Sequence, residues 1–304
     1  MTLAGPQIIP TEVFARVPAS LRRSGRSAWG DANNGMRDTD CFLEGPVFDR
    51  EGNLYVTDIP HGRIFRIDPS ARFELVAEWD GWPNGLKFHR DGRLFIADYR
   101  NGILACEVAS GKISEVVTHR HSESFKGVND LYFADNGDLY FTDQGQTGLQ
   151  DPTGRVYRYT AGGELQCLID TVPSPNGLTL DGSQAILLIA ATRGNCIWRA
   201  PIMPDGTLSK VGVFVQMSGG LGPDGIAIDD EGNLAVAHAG MGGAWRVSRK
   251  GLPIAFVQSI AGDFTTNLAY GGPDRRDLYM VESGSGTVLK ARLPFAGRMA
   301  HGLR

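Results

Sequence analysis

Excess positive charge is missing from this chain: 30 Lys and Arg stand against 34 Asp and Glu in 304 residues, a formal net charge of -4. Such a balance offers no electrostatic footprint for nucleic acid or an anionic membrane, and the expected partner is a small molecule. Cysteine is scarce, with four residues at 41, 106, 167 and 196. They form neither a CxxC pair nor a zinc-like spacing, so they read as free thiols of a cytoplasmic protein. Long apolar runs are absent too. The longest aliphatic stretch, Ala185 to Ala191, is far too short to span a bilayer, and the opening MTLAGPQIIP lacks the basic region and apolar core of an export signal. No GxSxG elbow, Walker loop or HExxH occurs, so serine catalysis, P-loop nucleotide binding and zinc proteolysis have no motif support.

What the chain has in quantity is glycine, 40 residues without a collagen-like period. That excess points to many tight turns and hence many short strands. A phrase recurs six times: a polar anchor, a small residue, an alternating apolar strand, a turn rich in Asp, Asn or Gly, and a second strand usually ending in an acid. The copies are EGPVFDREGNLYVTD from Glu44, NGLKFHRDGRLFIAD from Asn84, NDLYFADNGDLYFTD from Asn129, NGLTLDGSQAILLIAA from Asn176, DGIAIDDEGNLAVAH from Asp224 and NLAYGGPDRRDLYMVE from Asn267. Successive anchors lie 40, 45, 47, 48 and 43 residues apart. This is the period of a four-stranded propeller blade.

The predicted fold is therefore all-β, a single six-bladed β-propeller of four-stranded blades around a central metal-binding channel. Residues 42–293 supply the six repeats and 294–304 a C-terminal tail. Residues 1–41 supply a ring-closing strand within TEVFARVP and a polar insertion over 18–40. The insertion reads as an irregular surface loop, and its three arginines, Arg22, Arg23 and Arg26, as a solvated cluster.

If every anchor opens the innermost strand of its blade, the six side chains converge on the axis. Two carboxylates and four amides, with no Lys or Arg among them, suit a hard divalent cation. Calcium is preferred because it tolerates irregular geometry, with Mg²⁺, Mn²⁺, Zn²⁺ and Fe²⁺ the other ions open to the site. The expected ligands are Glu44, Asn129, Asn176 and Asp224. For Asn84 and Asn267 a local Asx-turn is the favoured account. The antiparallel second strand returns to the same mouth and brings a second ring, Asp58, Asp98, Asp143, Ala191, His238 and Glu282. Asp58 and Asp143, with Asn129, are candidate substrate-binding residues. His238 replaces an acid and is a candidate catalytic residue beside Asp224, with a supporting role for the buried ring as the alternative.

With these anchors in place, LEGPVF, SPNGLTLD and GPDGIAIDDEGNLAVAHAG carry a resemblance to the gluconolactonase, regucalcin and luciferin-regenerating enzyme family, and NDLYFADNGDLYFTDQGQTGLQDPTGRVYR resembles its bacterial lactonase branch. The resemblance implies that Glu44, Asn176 and Asp224 bind a catalytic divalent metal and that Asn129 contacts metal or substrate. It implies a lactone substrate, opened by water on a metal-polarised carbonyl, with Asp224, His238 or Asp143 as the base. Phosphotriester hydrolysis at the same metal and a non-catalytic binding scaffold are the alternatives. One position departs from the pattern: where regucalcin-like members place a substrate-binding Arg two residues before the third anchor, this chain has Gly127.

Overall fold

The computed structural model describes residues 5–36 and 38–304. Six antiparallel sheets follow one another along the chain, and their innermost strands touch in a closed ring. Blade one comprises Leu43–Phe48, Leu54–Asp58, Arg63–Ile67 and Phe73–Glu78. Blade two comprises Pro83–Phe88, Leu94–Asp98, Gly102–Glu107 and Lys112–Val117. Blade three runs from Val128–Phe133 through Leu139–Asp143 and Gly154–Tyr159 to Leu165–Val172, and blade four from Pro175–Leu180 through Ile186–Ala191 and Cys196–Pro201 to Gly212–Gln216. Blade five holds Gly222–Ile228, Leu234–Ala239, Gly243–Val247 and Pro253–Gln258. Blade six holds Thr265–Gly271, Asp277–Glu282 and Thr287–Arg292, and its outermost strand is Glu12–Arg16 from the other end of the chain. That exchange closes the ring and covers an edge that would otherwise be free to pair. Gln7–Pro10 adds a parallel fifth strand to blade five.

The turns explain themselves chemically. In blade one Asp49 accepts from the backbone N–H groups of Glu51 (3.0 Å) and Asn53 (2.8 Å), and Gly52 takes the left-handed conformation at φ +84°. Asp229 repeats this in blade five with Glu231 (3.0 Å) and Asn233 (2.8 Å). Asp, Asn and Gly are needed there for local hydrogen bonds and positive φ, which is why the phrase is visible at all.

Each apolar cluster lies between two neighbouring blades. Leu86, Ile96 and Ile64 join blades one and two; Leu178, Ile189 and Val156 join three and four; Leu54, Val281 and Val288 join one and six. With about 1.5–3 kcal/mol per fully buried aliphatic or aromatic side chain, stability is distributed over six such interfaces. A single change at the axis leaves five of them untouched. No helix among the described residues is long and apolar enough to cross a membrane. The insertion carries a short helix, Ala28–Asn33, N-capped by Ser27, whose hydroxyl accepts from Gly30 N–H at 3.0 Å.

The far mouth of the channel is crossed by the last residues. Gly297 N–H bonds to Arg275 carbonyl (2.7 Å), Arg298 N–H to Ile228 carbonyl (2.9 Å), Arg298 Nη1 to Gly182 carbonyl (2.9 Å), and the His301 ring stacks on Phe133. The six anchors lie toward the other mouth.

Candidate metal centre at the channel mouth

Strand register defines the ring of anchors. In every blade the residue before the anchor pairs with the last residue of the second strand, or in blade five the last but one: Leu43 with Asp58, Pro83 with Asp98, Val128 with Asp143, Pro175 with Ala191, Pro223 with His238 and Thr265 with Glu282. The first five place Glu44, Asn84, Asn129, Asn176 and Asp224 at the anchor. In blade six the same register puts Thr266 there, and Asn267 falls one residue beyond. The acids confirm it. Asp58, Asp98, Asp143 and Glu282 accept from the N–H of Phe42 (2.8 Å), Trp82 (3.2 Å), Gly127 (2.8 Å) and Phe264 (3.0 Å). Each of those residues lies two before its anchor. The sixth anchor of the repeat is therefore Thr266, and the earlier placement of Asn267 in the ring is corrected by one residue.

The register shifts by a bulge at each anchor, and at the next position neighbouring blades approach tightly. A methyl group on Gly45 would overlap the Asn84 carbonyl oxygen, and one on Gly177 the Asp224 carbonyl oxygen. This close approach is the reason the anchor is followed by glycine in four blades. Blades three and six carry Asp130 and Asn267 there instead, lying over Gly85 and Gly225 of the preceding blades. In both, the side-chain Oδ1 accepts from the next N–H, Leu131 and Leu268, at 2.8 Å. Threonines clamp the anchors from behind: the Thr57 hydroxyl donates to the Asn84 carbonyl (2.9 Å) and that of Thr142 to the Asn176 carbonyl (2.8 Å).

Three carboxyls share this inner ring, Glu44 and Asp130 buried and Asp224 half-buried. Burial, then the charges of Glu44 and Asp130, push Asp224 well above the usual carboxylate range, opposed by Arg193 and a hydrogen bond with Asn176. Burial pushes Glu44 up to about 7, against hydrogen bonds from Thr266, Gly45 N–H and Asn267, with Asp130 adding to the rise. Gly45 N–H and Asn267 Nδ2, each at 2.9 Å, both donate to Oε2 of Glu44, so Oε1 carries neither bond. Asp130 is likewise raised by burial, opposed by Lys87, whose Nζ lies 3.8 Å from Oδ1.

Two further oxygens stand out. Asn129 Nδ2 donates to Gln144 Oε1 at 2.9 Å, which fixes the amide and leaves Oδ1 buried without a hydrogen-bond partner. Asn176 Oδ1 is buried without a partner as well. Buried amide oxygens are ordinarily satisfied, and carboxyls are not held together in apolar surroundings without a compensating charge. The described residues contain no cluster of three or more His, Cys, Asp or Glu in ligating geometry. The donors at the mouth are two carboxylates and two amide oxygens, a set suited to a hard cation.

The second ring is mainly structural. Asp58 bonds Phe42 N–H through Oδ1 and the buried Arg63 through Oδ2, where Nε donates at 2.9 Å, so both oxygens are engaged inside the protein. Asp98 takes Trp79 Nε1 (2.9 Å) and three backbone N–H groups, and Glu282 the Phe264 and Ser285 N–H groups. Asp143 differs: Oδ1 holds Gly127 N–H, but Oδ2 is buried without a partner. His238 Nε2 donates to the Gly219 carbonyl at 3.0 Å, leaving Nδ1 buried and unpartnered; burial lowers its pKa and the Gly219 bond raises it. It thereby holds the loop that leads into Asp224.

The insertion reaches this mouth. Asn33, at the end of its helix, accepts from Gln146 Nε2 at 3.0 Å, and Gln146 also donates to the Tyr99 hydroxyl at 3.0 Å. A side chain at Gly127 would collide with the Tyr99 ring. Sequence reasoning missed Asp130, Thr266 and Arg193. Only Asp130 left a trace, as the acid in NDL where two other repeats read NGL.

Comparison with known proteins agrees with this architecture. The staphylococcal proteins called lactonase drp35 are similar in sequence: that of Staphylococcus epidermidis ATCC 12228 is 31% identical over 234 residues, 73% of this chain and 71% of its own, and that of Staphylococcus aureus MRSA252 is 31% identical over 227 residues, covering 71% and 69%. Among solved structures, a calcium-binding protein, regucalcin, from Agrobacterium tumefaciens superposes with a TM-score of 0.78 at 21% identity, covering 99% of this chain and 100% of its own. A gluconolactonase from Xanthomonas campestris gives 0.75 at 20% identity over 94% and 99%. These structural likenesses establish the propeller. The family model described as SMP-30/Gluconolactonase/LRE-like region matches residues 42–284, a span that contains all six anchors, and the chain belongs to that family.

Proposed function

We propose that this protein is a metal-dependent lactone hydrolase whose divalent ion, Ca²⁺ by preference, is held by Glu44, Asn129, Asn176 and Asp224. The observation that carries the reading is the pair of buried, unpartnered amide oxygens on Asn129 and Asn176 in the same ring as Glu44 and Asp224, two carboxyls whose proton affinity is raised by burial and neighbouring negative charge. One cation resolves all four strains at once. The lactonase name of the staphylococcal relatives supports a cyclic ester as substrate, and the regucalcin likeness supports calcium.

When bound, the ion supplies Lewis acidity toward a carbonyl oxygen and positive charge against the oxyanion that develops there. The chain's own residues do the rest. Asp224 accepts the proton of the attacking water and returns it to the ring oxygen as the bond between the acyl carbon and that oxygen breaks, leaving the open hydroxy acid. Asn129, its amide fixed by Gln144, positions the ring oxygen face of the substrate, and the buried Oδ2 of Asp143 offers a second acceptor at the mouth. His238 positions Asp224 through its bond to Gly219.

Turnover of a panel of γ- and δ-lactones and of phosphotriesters, after chelation and after metal add-back, tests the reading. Lactone turnover restored by Ca²⁺ and lost in Asp224→Asn and Glu44→Gln, in protein that still folds, is the expected outcome. Full lactone activity in either variant, or in chelator, overturns it.

A further inference from the structure

The mouth carries a positive charge that the repeat does not announce. Position 127 is closed to a long side chain by the Tyr99 ring. On the neighbouring side, Arg193 follows the second strand of blade four. Together with Gln144, Gln146, Ser174 and Asn33 it lines a polar cleft of about 440 Å³.

Two links tie this cleft to the metal-side donors. Gln144 accepts from Asn129 and donates to Ser174 Oγ at 3.0 Å, so one wall of the cleft is hydrogen-bonded to a proposed ligand. Thr192, next to Arg193, donates its hydroxyl to the carbonyl of Pro223 at 2.8 Å, so the other wall is hydrogen-bonded to the residue before Asp224, a second proposed ligand. The guanidinium is exposed, takes part in no ion pair among the described residues, and makes one long hydrogen bond, 3.5 Å to the Leu221 carbonyl. An arginine with its donor fork largely free, in a cleft whose other polar side chains are neutral amides and two hydroxyls, is built to take a planar anion in bidentate fashion.

We infer that Arg193 is a specificity-determining residue that reads an anionic substituent, a carboxylate, on the lactone whose carbonyl is presented at the channel mouth. The inference rests on the lactone-hydrolase reading for the reaction, but not for the capacity of the cleft to hold a carboxylate.

The test uses the calcium-loaded protein and two δ-lactones with the same ring, one bearing a carboxylate and the other its neutral methyl amide, alongside calorimetric binding of glutarate. Wild type is expected to prefer the carboxylate-bearing lactone. Arg193→Ala should raise its KM about tenfold, the loss expected of a charge-assisted pair. The penalty on the neutral lactone should be far smaller. Arg193→Lys should recover part of the preference and Arg193→Glu reverse it. Glutarate binding should weaken about tenfold in Arg193→Ala. Equal losses on the two lactones, no preference in wild type, or glutarate binding indifferent to residue 193 overturns the inference. Should wild type bind glutarate through Arg193 yet hydrolyse neither lactone, the anion site stands and the lactonase reading falls.

Discussion

Without the proposed metal, this propeller should lose stability as pH rises, and Glu44 sets the scale. In the fold its carboxyl is held up to about 7, against an ordinary value of 4.5. The folded chain therefore binds that proton more tightly than the unfolded chain. The stabilisation is fully present below pH 4.5 and lost as pH climbs through 7. The loss amounts to about 3 kcal/mol, taking 1.36 kcal/mol for each pH unit between the two values. About 2.5 kcal/mol of that falls between pH 5 and pH 8; with an unfolding entropy of about 0.6 kcal/mol/K for a chain of this length, the midpoint of thermal unfolding should fall by about 4 °C over that range in chelator. Asp224, raised in the same direction, adds to the fall. Calcium at a hundred times its dissociation constant contributes about 2.7 kcal/mol and should restore most of it at pH 8, with a smaller effect at pH 5, where protons compete for the same oxygens. Calorimetry on wild type and Glu44→Gln, with and without calcium, isolates the group. A metal-free wild-type midpoint that stays level or rises from pH 5 to 8 relative to Glu44→Gln would refute the reasoning.

Two further outcomes follow from the second ring and the axis. Asp58→Ala leaves the Arg63 guanidinium buried and unpaired, and should cost about 3–5 kcal/mol in urea unfolding while the remaining folded protein keeps its turnover. A collapse in turnover without loss of stability would instead place Asp58 at the substrate. Gly177→Ala puts a methyl group against the Asp224 carbonyl and should displace that anchor, weakening calcium binding about tenfold, equivalent to about 1.4 kcal/mol, by titration calorimetry. Unchanged affinity would show that blades four and five have room to separate.

The propeller was legible because its repeat is written in residues with local obligations. Asp49 and Asp229 must cap their turns, Gly52 must take a positive φ, and Gly45 and Gly177 must admit a neighbouring backbone. Each requirement recurs with the blade, so each leaves a mark at the blade's period. The ring of anchors was legible in the same measure. Glu44, Asn129, Asn176 and Asp224 appear in the sequence as the first letter of a phrase, and register puts them in one ring.

What failed to show is what breaks the period. In blade six the anchor is Thr266, and Asn267 mimics an anchor while standing one residue later, over Gly225, where blade three carries Asp130 over Gly85. Both longer side chains occupy places that the other blades leave to glycine, and both bear on Glu44: Asn267 by a hydrogen bond to Oε2, Asp130 by its charge. The chemistry of the centre thus depends on two exceptions to the repeat as much as on its rule. Arg193 escaped for a related reason. It lies on the loop after a strand rather than at the strand's start, where no period constrains residue type, so only the fold could bring it to the cleft beside Gln144 and Ser174. In this propeller the ring proposed to hold the metal follows the repeat, whereas Arg193, proposed to select the substrate, sits where the repeat is silent.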